Sequence, residues 1–217
     1  MGLSKTSLPD PAWWRSDALI AALVLLAYWP LASCAWSLSP GDTLDCWLPW
    51  RHFMTQALGE GQLPVWNPYQ QGGYPFYADL QGPAWYIEAL AIGGTIGHSL
   101  YSLQFLFLGY VMLGGWGMRR FAREVTGSDA AGLFAGIAYA LCGFFVAHTQ
   151  HFYSVISAAW MPWLLWSQLR LLSVANVRNA VRSAVIAALL LTGGNHTFTI
   201  MAVYLIAALI LQRILEL

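Results

Sequence analysis

The sequence has very little charge. Only 9% of its 217 residues are Asp, Glu, Lys or Arg, whereas 58% are hydrophobic. Soluble domains carry about 25% charged residues, so this chain lacks the polar surface that a soluble domain presents to water on all sides. The ten basic residues and ten acidic residues cancel, and this balance offers no basic surface for nucleic acid. The composition therefore predicts an integral membrane protein.

Cysteine is also scarce, with three residues at positions 34, 46 and 142. Their odd number and wide spacing provide neither a disulfide framework nor a metal-binding pattern. Cys34 and Cys46 could meet at one face of the membrane, but we expect free thiols. The sequence also lacks a convincing internal repeat and any low-complexity tract.

Several long apolar runs predict an all-α, polytopic membrane protein in which residues 1–217 form a single domain. A helix needs about 20 apolar residues to cross a bilayer. The predicted spanning helices cover residues 18–38, 99–118, 130–148, 152–169, 183–192 and 198–211. Residues 31–34 also fit a lipoprotein cleavage box, but we interpret the first run as a spanning helix. Residues 39–98 form a long outer loop, in which residues 83–97 are expected to make a short helix at the membrane surface.

The distribution of basic residues predicts the orientation in the membrane. If residues 1–17 are cytoplasmic, nine of the ten basic residues fall on the cytoplasmic side and Arg51 alone falls outside. This asymmetry follows the positive-inside rule. All five histidines fall at outer ends or in outer loops. We therefore expect a multi-pass membrane protein with a cytoplasmic N-terminus and its long loop on the outer side.

The most polar stretch is residues 40–86, inside the long outer loop. Loops of this length within a compact fold are uncommon and are usually functional. The chemistry-bearing residues of the stretch are Asp42, Asp45, Arg51, His52, Glu60 and Asp79.

Motifs along this loop and beyond it resemble the YfhO-like family of bacterial membrane proteins, which have the GT-C glycosyltransferase architecture. The loop has an Asp with a Pro seven residues later (Asp42 and Pro49), then GQLPVWNPY at 61–69, GYPF at 73–76 and ADLQ at 78–81. Further along are GFF at 143–145 with His148 and His151, WMPW at 160–163 and GNH at 194–196. Family members are several times longer, so this chain is expected to supply only the N-terminal module.

The resemblance implies a bacterial cytoplasmic (inner) membrane protein whose long loop is periplasmic or extracellular. It also implies sugar transfer from a polyprenyl-phosphate donor on the outer face of that membrane. Asp42 matches the acidic residue that such enzymes use as catalytic base or metal ligand, and Asp45 is the second candidate. Where the family often has Gln four residues after that Asp, this chain has Cys46. A partly desolvated carboxylate suits proton removal from an acceptor hydroxyl. The alternative is that Asp42 and Asp45 cap a helix beginning at Thr43.

The remaining expected site residues would bind the substrate. Arg51 is the natural ligand of the leaving phosphate, with His52 beside it; the alternative for Arg51 is a salt bridge to Asp42 or Asp45. Tryptophans of the loop could stack on a sugar, although anchoring at the membrane interface is their usual role. The other predicted substrate-binding residues are Trp66, Asn67, Tyr69 and Asp79.

His148 and His151 are three residues apart and would share one face of a helix. Together with an Asp they could hold a divalent cation, the only cofactor that the sequence indicates. The alternative is that they hydrogen-bond to backbone or lipid headgroups.

Two functions remain open at this point. The first is a GT-C-like glycosyltransferase module whose partners are membrane lipids and a polyprenyl-phosphate sugar. The second is a non-catalytic transmembrane subunit of a larger respiratory or photosynthetic complex. Cys46 favours the second, and the concentration of acidic residues and histidines on the outer side favours the first.

Overall fold

The computed structural model describes residues 13–79, 81–82 and 84–215, with Trp13 described for its backbone alone. Residues 1–12, which include Lys5 and most of the predicted cytoplasmic segment, lie outside the described residues, as do 80, 83, 216 and 217. Within the described ranges the chain is helical, with no strand beyond one isolated bridge between Asn67 and Tyr74. The all-α prediction is confirmed for this part of the chain.

The described α-helices are α1 (Trp13–Ala27), α2 (Trp29–Ala32), α3 (Leu48–Gly59), α4 (Ile87–Gly93), α5 (Leu100–Thr126), α6 (Asp129–Ala140), α7 (Gly143–Ala147), α8 (Phe152–Ser173), α9 (Val177–Thr192) and α10 (His196–Leu215). A π-helical turn (Thr43–Trp47) leads into α3, and a 3-10 turn (Phe76–Ala78) lies between α3 and α4.

Two helical segments are long and apolar enough to cross a membrane, judged by length and composition. They are Asp129–Ala147, which combines α6 and α7, and α10. Both coincide with predicted spans, at 130–148 and 198–211. By contrast, α1 has 15 residues and α9 has 16, fewer than the about 20 that a crossing requires. A membrane location is thus supported at two helices of the described chain.

Two predicted helices are interrupted in the structure. The run predicted at 18–38 divides into α1 and α2 at Tyr28, and Pro30 lies in the first turn of α2. Proline has no backbone N–H and its ring clashes with the carbonyl four residues earlier, which explains the break. The run predicted at 130–148 breaks at Leu141 and Cys142, where Cys142 adopts an extended conformation.

Helix α5 is the centre of the bundle, and its glycines allow the close approach of neighbouring helices. A Cβ atom built on Gly136 of α6 would lie 2.8 Å from the carbonyl oxygen of Gly115 in α5. On another side of α5, a Cβ atom on Gly117 would lie 2.5 Å from the Trp163 ring of α8. Small residues at helix contacts are typical of membrane proteins, where packing rather than hydrophobicity drives association.

Ion pairs between helices stabilise the end of the bundle opposite the long loop. Asp17 of α1 is buried and pairs with Arg119 at 2.8 Å and with Arg120 at 2.7 Å, both on α5. Glu124 of α5 pairs with Arg170 of α8 at 2.9 Å. A buried charge is tolerated when it is paired in this way. These contacts fix the relative positions of α1, α5 and α8.

We expect Gly136→Ala to destabilise the protein by about 1–3 kcal/mol, because the new methyl group meets the Gly115 backbone, which cannot rotate away. Thermal unfolding of the purified protein in detergent measures the change as a lower midpoint. Gly109→Ala on α5 is the matched control, since nothing lies within 4 Å of its added Cβ atom. That variant should unfold at the same temperature or slightly higher. Equal midpoints for the two variants would contradict the close packing of α5 and α6.

Candidate functional site

The long loop at 39–98 and the turn between α7 and α8 meet at one end of the bundle. Gly41 adopts a left-handed conformation with φ +46°, and a Cβ atom there would clash with Oε1 of Gln150. Oδ2 of Asp42 lies 3.7 Å from Nε2 of His151. Both side chains remain accessible, with exposed fractions of 46% for Asp42 and 31% for His151. The structure therefore places a carboxylate beside an imidazole at the surface.

Asp42 does not act as the predicted helix cap. It precedes the π-helical turn Thr43–Trp47, but its own backbone is helical and its side chain makes no capping hydrogen bond. Asp45 lies exposed in that turn. The carboxylate oxygens of Asp42 are therefore directed to His151 and to solvent, so the capping alternative is wrong for Asp42.

Arg51 does not occupy the accessible position that was expected of a phosphate ligand. Its side chain has no exposed surface and pairs with Oε2 of Glu88 at 3.4 Å, rather than with Asp42 or Asp45. The guanidinium carbon also lies 5.7 Å from the centroid of the Trp47 ring, which is a cation–π contact. Both predicted roles of Arg51 need correction: the side chain is buried inside the loop, and its acidic partner is Glu88.

The Arg51–Glu88 pair belongs to a buried polar network that sequence reasoning missed. Oε2 of Glu88 lies 3.1 Å from the hydroxyl of Tyr110, which lies 3.0 Å from the hydroxyl of Tyr86. Trp160 of α8 donates from its indole nitrogen to Tyr86 at 2.9 Å. These contacts connect α3 and α4 of the loop to α5 and α8. Glu88 was the available signal, since a carboxylate in a short apolar helix needs a partner.

Some polar atoms near this network have no hydrogen-bond partner among the described residues. They are Nε and Nη1 of Arg51, Oε1 of Glu88 and Nδ1 of His98. His98 is buried, and its Nε2 lies 3.0 Å from the carbonyl oxygen of Ala89, so Nε2 carries the proton and donates it. Burial, and then the charge of Arg51, lower the pKa of His98 to about 4. His98 is therefore neutral at neutral pH.

The long loop also forms a groove of about 330 Å³ beside the π-helical turn. One wall of the groove is the face of α3 that carries His52, and the other wall is the 67–70 turn. Asn67 is buried and organises the turn, since its side-chain oxygen accepts from the backbone N–H of Tyr69 at 3.0 Å. Its amide group also donates to Gln70 at 3.2 Å. Three predicted substrate-binding residues, His52, Asn67 and Tyr69, therefore lie together.

Trp66 and Asp79 lie elsewhere in the loop and have structural contacts. Trp66 is 57% exposed and packs against Gly73, where an added Cβ atom would lie 3.1 Å from its ring. Asp79 accepts from the Tyr74 hydroxyl at 3.3 Å and from the backbone N–H of Gln81 at 2.9 Å. Burial and Asp79 together raise the pKa of Tyr74 to about 12. Asp79 thus stabilises its own turn.

His148 and His151 do not share a helical face. They lie in the turn between α7 and α8, with ring centroids 5.4 Å apart. Nδ1 of His148 is 2.9 Å from the carbonyl oxygen of Phe144, and the His148 ring stacks on the Phe144 ring with their centroids 4.1 Å apart. Over residues 13–79, 81–82 and 84–215, no group of three or more His, Cys, Asp or Glu is arranged to hold a metal ion. The contact of His148 with a backbone carbonyl agrees with the alternative role of these histidines, which is hydrogen bonding to backbone or lipid headgroups.

Comparison with known proteins gives no relative: no protein-family model, no curated protein and no solved structure matches the chain.

We expect His98 to make stability depend on pH between about 6.5 and about 4. Its pKa in the folded state is depressed, so in this window the unfolded chain binds a proton that the folded chain does not. The contribution of neutral His98 is complete above the unfolded pKa and is lost as the pH falls towards 4. Thermal unfolding at pH 7 and pH 5 measures this loss.

His98→Asn removes the titrating group and should flatten that part of the pH dependence, whereas His52→Asn, at an exposed position on α3, should leave it unchanged. An identical loss of stability in wild type and His98→Asn would contradict the assignment.

Proposed function

We propose that this chain is a polytopic, GT-C-like membrane module that transfers a sugar from a polyprenyl-phosphate donor at the outer face of the bacterial cytoplasmic membrane. The observation that carries the proposal is the pairing of Asp42 with His151 at 3.7 Å, in an accessible position where the long loop meets the helix bundle. The resemblance of the loop motifs to YfhO-like proteins supports the same assignment.

The proposed topology has six spans, a cytoplasmic N-terminus and an outer loop at 39–98. Its support is the separation of charge between the two ends of the bundle. Arg119, Arg120 and Arg170 form ion pairs at one end, while Asp42, His151 and the groove lie at the other. Arginine at the cytoplasmic end agrees with the positive-inside rule.

Asp42 acts as the general base in this proposal. Its carboxylate takes the proton of the acceptor hydroxyl as that oxygen bonds to the anomeric carbon of the donor. The bond between the anomeric carbon and the phosphate oxygen breaks, and the electron pair stays on the phosphate. Because Arg51 is buried, we assign the hydrogen bond to the leaving phosphate to His151, which lies beside Asp42. Asp45 is an exposed neighbour rather than the base.

The alternative, a non-catalytic subunit of a larger membrane complex, has one observation in its favour. Helix α10 is apolar and largely exposed, with Val203 62% and Tyr204 73% accessible. A second transmembrane protein could cover this surface, as lipid could. Purification of the chain at a fixed ratio with other subunits would favour this alternative.

We expect Asp42→Asn to lower the rate of sugar transfer by about 10²–10⁴-fold, which is the usual contribution of a general base. The measurement is transfer of labelled hexose from polyprenyl-phosphate donors in membranes that contain the protein. Asp45→Asn is the matched control, because Asp45 lies three residues away and is exposed. It should keep near wild-type transfer at equal expression.

Full transfer by Asp42→Asn would refute the assignment of the base. If the wild-type protein transfers no sugar from any donor of the panel, the enzymatic proposal fails as a whole.

A further inference from the structure

The groove on the long loop has the chemistry of a binding site. Its volume of about 330 Å³ lies at the low end of the about 300–1,000 Å³ that is usual for small-molecule sites. One wall is a face of α3 and the other is the 67–70 turn. The lining includes the side chains of His52, Phe53, Gln56, Asn67, Tyr69 and Gln70.

Two of these residues supply flat apolar surfaces. Phe53 and Tyr69 meet edge to face with ring centroids 6.3 Å apart. Phe53 also packs edge to face against Phe76, with ring centroids 5.4 Å apart. Tyr69 remains 75% exposed, so its ring has a free face towards the groove or solvent. The C–H face of a sugar ring is an apolar surface of the kind that packs on aromatic rings.

The rest of the lining supplies side chains that form hydrogen bonds. His52 and Gln56 are four residues apart on α3, so they lie on the same face of the helix. Neither side chain has a partner among the described residues, whereas Asn67 and Gln70 bond to each other. An amide both donates and accepts, which suits a hydroxyl group that does the same.

The groove has no permanently charged side chain among its described lining residues to pair with an anionic or cationic ligand. None of the described lining residues is Asp, Glu, Lys or Arg. Phosphate and carboxylate groups are bound in proteins by Arg, Lys or clustered backbone N–H groups. The lining therefore matches a neutral polyol better than a phosphorylated or acidic ligand.

The groove is connected to the turn that carries the catalytic candidate. The side-chain amide of Gln70 donates to the backbone carbonyl of Asp45 at 3.4 Å, and Pro49, just after the turn, also lines the groove. A ligand in the groove thus lies beside the Thr43–Trp47 turn that follows Asp42.

We propose that this groove binds a neutral saccharide, namely the sugar acceptor whose hydroxyl is presented to Asp42. Phe53 and Tyr69 pack on the ring, and His52 and Gln56 bind its hydroxyl groups. The identification of this sugar as the acceptor rests on the proposed function, whereas sugar binding itself does not require turnover.

The test is a binding measurement on the Asp42→Asn protein in lipid nanodiscs, which avoids detergents with sugar headgroups. The probes are the methyl glycosides of glucose, galactose, mannose and N-acetylglucosamine, measured by calorimetry or saturation-transfer NMR. We expect saturable binding of at least one probe. Tyr69→Ala and Gln56→Ala should each weaken it about tenfold, whereas Gln62→Ala, at an exposed glutamine outside the lining, should not.

Absence of saturable binding for all four glycosides, or equal binding by all variants, would overturn the inference. Tighter binding of glucose 1-phosphate than of methyl glucoside would also overturn it, because the groove would then select an anion. Sugar binding in a protein that transfers no sugar would refute the proposed function and leave the groove assignment standing. Sugar transfer by the wild type without glycoside binding would refute the groove assignment and leave the proposed function standing.

Discussion

The buried ion pair between Arg51 and Glu88 is the interaction on which the structure of the long loop depends. Arg51 has no exposed surface, and a charge so placed is stable only beside an opposite charge. Glu88 reaches α5 through the hydroxyl of Tyr110, and Tyr86 reaches α8 through Trp160. Two short helices of the loop are thereby held against the two central helices of the bundle. This attachment turns a long polar loop into a fixed surface.

The same attachment explains how residues far apart in the chain meet. Asp42 and His151 belong to different segments, and their contact requires that the loop lie over the turn between α7 and α8. At the other end of the bundle, the paired arginines fix α1, α5 and α8. The glycines of α5 and α6 let these two helices approach each other closely, so that the polar contacts at both ends of the bundle can form. Packing in the middle therefore positions polar groups at both ends.

The sequence predicted the helical class because apolar runs and low charge leave few other structures. It also predicted a functional loop. The accessible Asp42 and the groove lined by His52 and Tyr69 both lie on that loop. It did not predict the partner of Arg51, because Asp42 and Asp45 are much nearer in sequence than Glu88, while pairing depends on tertiary packing across 37 positions. The length of an apolar run likewise does not indicate where the backbone interrupts a helix, as it does at Tyr28 and at Leu141, although Pro30 marks the first break.

A double-mutant cycle on Arg51 and Glu88 tests most directly whether the buried pair holds the loop in place. Arg51→Met and Glu88→Leu each leave one charge without its partner, so each should destabilise the protein by about 3–5 kcal/mol in detergent unfolding. The double variant buries no charge and should lose much less than the sum of the two single losses. Strictly additive losses, or single variants as stable as wild type, would contradict the account.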